Sequence, residues 1–208
     1  MNSKLVLTLF CIIVALAALL AGLRLVVFDT DYYMASFDAN GIYEKLPDAD
    51  ERAFNLVAYM KDGEELKSIY FNQKEIAHMA DVKAIISAMV NLLYVCLAFF
   101  AVFIIRLGSR KNIKLMAKGF VYGGISSLGF IFLISVSALN FDSFFTKFHH
   151  IFFSNNLWLM HPETDMLIVM LPKAFFQSAM IKVFLLAALF SVALLAIGLV
   201  LRRKNVCT

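Results

Sequence analysis

The chain has 208 residues, of which 62% are hydrophobic and only 16% are charged. A soluble domain carries roughly 25% charged residues, so this composition excludes an ordinary soluble protein. The net charge of +4 does not indicate nucleic-acid binding, because the basic residues that produce it flank apolar runs. A chain of this length has room for one helical bundle, and we expect a single membrane domain over residues 1–208.

Four apolar runs are each long enough to cross about 30 Å of membrane hydrocarbon as a helix. The predicted spans are residues 5–27, 85–105, 119–139 and 181–201, and the outer connections are segments 29–84 and 140–180. The expected fold class is an all-α integral membrane protein, a four-transmembrane-helix bundle with interfacial or re-entrant helices over its outer face. The short basic start also resembles a signal peptide, but the apolar run after it is long, so we favour an uncleaved anchor.

The charges divide between the connections in a way that predicts membrane orientation. All 15 acidic residues lie in segments 29–84 and 140–180. The connection Arg106–Lys118 and the tail after Leu201 are basic and contain no acid. Since basic loops are retained on the cytoplasmic side, both termini are predicted to be cytoplasmic and both acidic segments extracytoplasmic.

Helix signals connect the first outer segment to the second span. Glu51–Tyr59 is predicted to form a short surface helix. Asn72–Glu75 resembles a capping box, from which a helix can run without interruption through His78 and Asp81 into the span. His78 lies seven residues, about 10 Å of helix, before Ile85, which corresponds to the level of the lipid headgroups. His78 and Asp81 are spaced three residues apart and share a helix face.

The second outer segment is rich in aromatic and aliphatic residues. Phenylalanines recur at helical spacing from Phe141 to Phe152, which predicts a helix lying in the membrane interface. Met166–Phe176 is too short to span the membrane and is interpreted as interfacial or re-entrant. Within this segment, Phe148–Pro172 mixes apolar residues, including the single Trp158, with polar ones. This mixture suggests an interfacial site that acts on lipid.

Nucleophile and disulfide signals are weak. In the third span Gly119 and Gly123 form a GxxxG pair among several serines, which favours close helix packing over a serine nucleophile. No G-x-S-x-G elbow accompanies them. Cys11 and Cys96 lie in spans and Cys207 in the inner tail, so neither an outer disulfide nor a cysteine metal cluster is expected.

The candidate chemistry therefore depends on histidines, all of which lie in the outer segments. His161 is interpreted as a solvated loop residue. His78 and His149 have apolar neighbours at headgroup level, where a neutral imidazole can exchange a proton near pH 7. If they share one site, their rings should approach within roughly 6–10 Å, so that a reacting ester lies within reach of both. Asp81 or Asp165 is a candidate to orient a ring.

A metal site is also conceivable, because zinc is held by two histidines and a carboxylate in some enzymes. The spacing of the histidines and acids here resembles no short ligand motif. We expect neither a metal nor another cofactor.

Two stretches carry a family resemblance. The first is E-x-x-H-x-x-D-V-K at Glu75–Lys83. The second combines F-H-x-x-F-F at Phe148–Phe153, N-x-L-W-L at Asn155–Leu159, P-x-T-D-x-L-I at Pro162–Ile168 and L-P-x-x-F-F at Leu171–Phe176. Together with the layout of spans and loops along nearly the whole chain, they resemble a four-span bacterial membrane family that includes the lipoprotein intramolecular transacylase of Gram-positive bacteria.

The resemblance implies an acyltransferase of the bacterial cell membrane. Its substrate is a diacylglyceryl lipoprotein, and the enzyme moves the sn-2 acyl chain to the α-amine of the same N-terminal Cys, giving an N-acyl lyso-lipoprotein. The register of F-H-x-x-F-F favours His149 over His150, so His78 and His149 are the expected catalytic residues. One would act as general base and the other as hydrogen-bond donor to the ester, with the assignment left open. The expected supporting or orienting residues are Asp81, Asp165, His150, Asn155 and Trp158.

Two other classes of protein share some of these sequence features. A non-enzymatic membrane interaction or assembly protein would use the aromatic outer segment as a docking surface and would need no paired histidines. A small transporter is poorly supported, because the spans lack acids and the basic residues Arg24 and Lys182 lie near the outer ends of their predicted spans.

Overall fold

The computed structural model describes residues 3–109 and 112–204, and the chain is helical with no strand over these ranges. Its helices are α1 Ser3–Val27, α2 Thr30–Ala39, α3 Ala49–Asp62, α4 Gln73–Ser109, α5 Ile113–Ser137, α6 Phe141–Phe152, α7 Met166–Met170 and α8 Lys173–Lys204. Arg110 and Lys111 of the predicted basic connection, and Cys207 of the predicted inner tail, lie outside the described residues.

Four of these helices, α1, α4, α5 and α8, are long and apolar enough to cross a membrane. The predicted all-α fold with four membrane spans is therefore confirmed, and the chain is a multi-pass membrane protein. The predicted runs 85–105 and 181–201 lie inside longer helices, because α4 already begins at Gln73 and α8 at Lys173.

The described residues form two compact units. The span unit comprises the described parts of Met1–Leu23, Val90–Leu139 and Lys182–Thr208. The site unit comprises Arg24–Met89 and Asn140–Ile181. The site unit brings together the two predicted outer segments, as expected. The expectation of a single domain over residues 1–208 stays a prediction.

Small residues pack helices closely within the span unit. A Cβ atom at Gly119 would lie 2.7 Å from the Phe103 ring, and one at Gly124 would lie 2.9 Å from the carbonyl of Ser191. Ser127 is fully buried and its hydroxyl is 2.7 Å from that of Ser191. Gly119, Gly124 and Ser127 therefore serve close packing, as predicted for this span, because larger side chains would separate the helices.

The site unit has its own hydrophobic core. Apolar side chains from α2, α3, α7, the first turns of α4 and α8 and the connections between helices contribute to it, including Phe37, Leu56, Phe71, Met79, Leu167, Met170 and Phe175. The predicted helix Glu51–Tyr59 is present as α3, with slightly wider bounds. The apolar residues of α7 complete this core, which explains why a helix of five residues is stable here.

A capping box begins α4, as predicted. The backbone N–H of Asn72 donates to Glu75 Oε2 at 2.7 Å, and the backbone N–H of Glu75 donates to Asn72 Oδ1 at 3.0 Å. Glu75 is only 1% exposed, and its second oxygen accepts the backbone N–H of Leu167. One buried carboxylate thus fixes the start of α4 against the start of α7, and the helix that carries His78 is anchored to the segment that follows Trp158.

Candidate active site

Helix α6 positions His149. The side chain of Asn140 caps this helix by accepting the Ser143 amide at 3.2 Å. Residues four apart lie on one face of a helix, so Phe145, His149 and the residue after the helix, Phe153, form a column of rings. The His149 side chain is buried, with 7% of its residue surface exposed.

The tautomer of His149 follows from its hydrogen bond. Nδ1 lies 2.8 Å from the carbonyl oxygen of Phe145, one turn earlier in α6. A carbonyl oxygen only accepts, so Nδ1 carries the hydrogen, and the neutral ring keeps a free lone pair on Nε2. Burial lowers the pKa of His149, the Phe145 bond opposes this effect, and the neighbouring His150 adds to the lowering. The ring is therefore neutral at neutral pH and can accept a proton at Nε2.

His78 lies near the start of α4 and is also buried, with 6% of its surface exposed. Its Nδ1 atom is buried and has no hydrogen-bond partner in the part of the chain that the structure describes. Buried polar atoms in native proteins are nearly always paired, so an unpaired one is a candidate contact for a ligand. Sequence inspection did not predict which nitrogen would be free.

The two imidazoles come together. The ring centroids of His78 and His149 are 6.3 Å apart and their planes differ by 25°. The predicted approach of these rings is confirmed. Phe153 contacts both of them, at 5.0 Å from the His78 ring and 5.4 Å from the His149 ring. By contrast, the His150 ring is exposed and lies nearly perpendicular to the Trp158 ring, with centroids 5.3 Å apart. Of the two consecutive histidines, His149 is therefore the buried one.

Aromatic rings surround His149 on several sides. Their centroids lie 4.1 Å away for Phe145, 4.7 Å for Trp158, 5.4 Å for Phe153 and 5.5 Å for Phe148. Such an environment has a low local dielectric. It makes the protonated imidazole less stable relative to the neutral ring and strengthens any hydrogen bond that a substrate makes there.

Asn155 holds Trp158 in place and links the aromatic segment to α4. Its side-chain amide donates to Asp81 Oδ2 at 2.8 Å, and its backbone carbonyl accepts Trp158 Nε1 at 3.1 Å. Trp158 in turn stacks on His149. Within the described residues Asp81 makes no hydrogen bond to an imidazole. Its connection to His149 is indirect, through the hydrogen bonds of Asn155 and the stacked Trp158.

Asp165 fixes the other end of the same segment. Its carboxylate is 2% exposed and accepts hydrogen bonds from Asn72 Nδ2 at 2.9 Å, Lys74 Nζ at 2.9 Å and the His161 amide at 2.8 Å. Burial alone would raise its pKa, but the His161 amide, Lys74 and Asn72 outweigh it and lower the pKa of Asp165 to about 2. Lys74 also donates to the Leu159 carbonyl at 2.6 Å. Asp165 therefore binds the segment to α4, and no bond from it to an imidazole is described.

His161 contributes its backbone rather than its ring to these contacts. The side chain is exposed, as expected for a solvated loop histidine, while its amide donates to Asp165. In the ranges 3–109 and 112–204, no group of three or more histidines, cysteines and acids is placed to hold a metal ion.

Four apolar helices and two stacked, buried imidazoles define a multi-pass membrane protein with a site suited to proton transfer. A family model described as Lipoprotein intramolecular transacylase Lit matches residues 8–176. The chain belongs to this family and is an acyltransferase that acts on lipoproteins at the membrane. Family membership decides against the non-enzymatic docking protein and the transporter. A search of curated proteins found no significant match.

Solved structures have the same fold. The chain is similar to the membrane-integral lipoprotein intramolecular transacylase Lit from Bacillus cereus, with a TM-score of 0.89 at 22% identity over 99% of this chain and 98% of that one. A variant of that protein with one histidine replaced by arginine matches with a TM-score of 0.83 at 22% identity, covering 98% and 93%. A variant with alanine at that histidine matches with a TM-score of 0.84 at 23% identity, covering 99% and 96%. At these identities the likeness establishes the fold.

Proposed function

We propose that this chain moves the sn-2 acyl chain of a diacylglyceryl-Cys lipoprotein to the α-amine of the same Cys, with His78 and His149 handling the protons. The observation that carries the proposal is the stacking of two buried imidazoles at 6.3 Å within the site unit. This separation leaves room for one reacting ester group within reach of both rings.

His149 is the general base in this proposal. Its Nδ1 is occupied by the Phe145 carbonyl, so Nε2 is the atom that takes a proton from the attacking nitrogen. An α-amine has a pKa of about 8, so a weak base is sufficient to deprotonate it. The new amide N–C bond forms, the ester bond to the sn-2 oxygen breaks, and the proton passes from His149 to that oxygen.

His78 is the hydrogen-bond donor. Its unpartnered Nδ1 is buried, and in the tautomer with hydrogen on that atom it can donate to the ester oxygen as negative charge develops. A donor that is already in place and shielded from water stabilises the tetrahedral intermediate without reorganisation. The surrounding phenylalanine and tryptophan rings strengthen this interaction by lowering the local dielectric.

Positioning supplies the larger part of the rate enhancement. The amine and the ester belong to one Cys-glyceryl group, and holding them in attack geometry can lower the barrier by about 7–11 kcal/mol. Proton transfer by histidine adds about 10²–10⁴-fold. Neither effect calls for a cofactor or a second lipid as acyl donor.

The proposed location of the site is the extracytoplasmic side of the bacterial cell membrane, with both termini in the cytoplasm. The charge pattern supports it, since all 15 acids lie in the two segments that build the site unit. A lipoprotein carries its diacylglyceryl group at the outer headgroup boundary, which is where a substrate of this kind is accessible.

Purified protein tests the proposal with a synthetic diacylglyceryl lipopeptide in detergent, without phospholipid. We expect N-acyl lyso-lipopeptide from the free-amine peptide and no acyl migration when the N-terminus is acetylated. His78→Ala and His149→Ala should each slow the conversion by about 10²-fold or more. An unchanged rate in both variants would contradict the assignment of these residues.

A further inference from the structure

We propose that Phe153, supported by Trp158, excludes water from the imidazole pair and so makes acyl transfer to the amine prevail over hydrolysis of the ester. This inference rests on the proposed function. It assigns to Phe153 a specificity-determining role that is separate from proton transfer.

The need for such a residue follows from the chemistry. A base that removes a proton from an amine can also remove one from water. If water attacks, its oxygen bonds to the ester carbonyl carbon, the bond to the sn-2 oxygen breaks, and the proton returns to that oxygen. The products are then a free fatty acid and a lyso-lipoprotein with an unmodified amine. Exclusion of water from the site is the general means by which enzymes suppress this side reaction.

Phe153 lies where it can exclude water from both rings. Its centroid is 5.0 Å from that of His78 and 5.4 Å from that of His149, and the residue is 8% exposed. Its backbone is fixed as well, because its N–H donates to the His149 carbonyl at 2.8 Å and its conformation is extended. The fixed backbone and the burial of the residue hold the ring beside both imidazoles.

Trp158 covers a further side of His149. The two rings stack at 4.7 Å with planes 30° apart. The indole N–H donates to the Asn155 carbonyl, and the Asn155 side chain donates to Asp81 on α4. An apolar surface held by hydrogen bonds at its edge keeps its position, so the indole restricts the access of water to the face of the His149 ring on which it stacks.

The neighbouring phenylalanine provides a matched control. Phe152 is 44% exposed and packs on Phe148 with ring centroids 4.6 Å apart. No contact of Phe152 with either imidazole is described. Phe152→Ala therefore removes the same number of atoms from the same segment without opening the imidazole pair.

The experiment measures two products from two lipopeptides in detergent by mass spectrometry. One lipopeptide has a free amine and the other an acetylated amine. We expect the wild-type protein and Phe152→Ala to convert the free-amine peptide and to release almost no fatty acid from the acetylated one. Phe153→Ala should raise the ratio of free fatty acid to N-acyl product by about tenfold or more, which corresponds to about 1.4 kcal/mol in relative barrier heights. It should also release fatty acid from the acetylated peptide.

The readout is a ratio of products from the same enzyme molecules, so partial loss of folded protein does not alter it. Phe153→Leu leaves a smaller gap and replaces the alanine variant if that variant does not fold. Its ratio of free fatty acid to N-acyl product should lie between those of the wild-type protein and Phe153→Ala. Hydrolysis of the acetylated peptide by the wild-type protein as fast as by the variants overturns the inference. So does an unchanged product ratio in the Phe153 variants. Failure of the wild-type protein to make N-acyl product from the free-amine peptide would instead overturn the proposed function itself.

Discussion

His149 stacks on His78 with ring centroids 6.3 Å apart, and the two rings come from different helices, α6 and α4. The His149 ring is hydrogen-bonded through Nδ1, whereas Nδ1 of His78 is buried without a partner in the described structure. On this difference we base the proposal that His149 acts as the base and His78 as the hydrogen-bond donor. The predictions below test that assignment and the framework that holds it.

Replacing His149 by alanine should lower the conversion rate by about 10²–10⁴-fold, because the base that deprotonates the amine is lost. His161→Ala is the matched control, since that ring is exposed and the described hydrogen bonds of this residue come from its backbone. Single-turnover conversion of the lipopeptide measures both variants. Equal rates for them would remove His149 from the mechanism.

The stability of the protein should depend on pH through His149. Burial lowers the pKa of this residue, so the unfolded chain, in which histidine titrates near 6.5, takes up the proton more readily. The contribution of His149 to the free energy of unfolding is therefore fully present above about pH 6.5. It is lost as the pH falls from there towards the lowered pKa of the folded protein. Gln cannot titrate but can still donate to the Phe145 carbonyl. Thermal unfolding in detergent at about pH 7.5 and about pH 5 should therefore show a smaller loss of Tm in His149→Gln than in the wild-type protein.

His161→Gln is the control for this experiment. The His161 ring is exposed, and the described hydrogen bonds of this residue come from its backbone, so its replacement should leave the wild-type difference in Tm between the two pH values almost unchanged. If His149→Gln and the wild-type protein lose the same Tm on acidification, His149 is not held in its neutral form by the fold.

The helices that carry His78 and His149 could be predicted from patterns among residues close together in the sequence. The reciprocal bonds of Asn72 and Glu75 and the unbroken helix through His78 follow from a capping box, which needs only four consecutive residues. Helix α6 follows from the spacing of its phenylalanines. These features depend on neighbours in sequence, so a single sequence contains the information for them.

The hydrogen-bond partners of Asp81 and Asp165 could not be predicted in the same way, because most of them lie far away in the sequence. Asp81 and Asp165 were expected to orient an imidazole, yet the described donors to them are Asn155 for Asp81 and Asn72, Lys74 and the His161 amide for Asp165. A buried irregular segment must satisfy its own backbone and amide groups, and this requirement determines where the acids bind. The Phe145 carbonyl, which orients His149 instead, leaves no signal in the sequence because every residue has one.

Replacing Asp165 by asparagine should destabilise the protein by about 2–3 kcal/mol. Breaking a buried ion pair costs about 3–5 kcal/mol, but the Lys74 side chain is 33% exposed and water screens part of the loss. Since the folded-state pKa of Asp165 is about 2, the carboxylate contributes fully above about pH 4, so the measurement at neutral pH reports all of it. Glu163→Gln, which removes the same charge from an exposed position, should change stability little. Denaturant unfolding that gives equal values for both variants would contradict the account of this segment.

Membrane orientation can be tested by cysteine labelling in whole cells. In a background without the 3 native cysteines, a cysteine at Glu64 or Glu163 should react with an impermeant thiol reagent, and one at Lys111 should not. The expectation follows from the acid-rich and acid-free connections. The reverse labelling pattern would place the site unit on the cytoplasmic side.

A crossover experiment tests most directly whether the acyl chain moves within one substrate molecule. Two lipopeptides are mixed with the purified protein in micelles that also contain phospholipid: one carries heavy isotopes in both its peptide and its sn-2 chain, and the other carries none. The account predicts N-acyl products in which heavy peptide carries only the heavy chain and light peptide only the light chain, because the amine and the ester on one Cys-glyceryl group react together. Products that combine heavy peptide with a light chain, or that carry a chain from phospholipid, would contradict it.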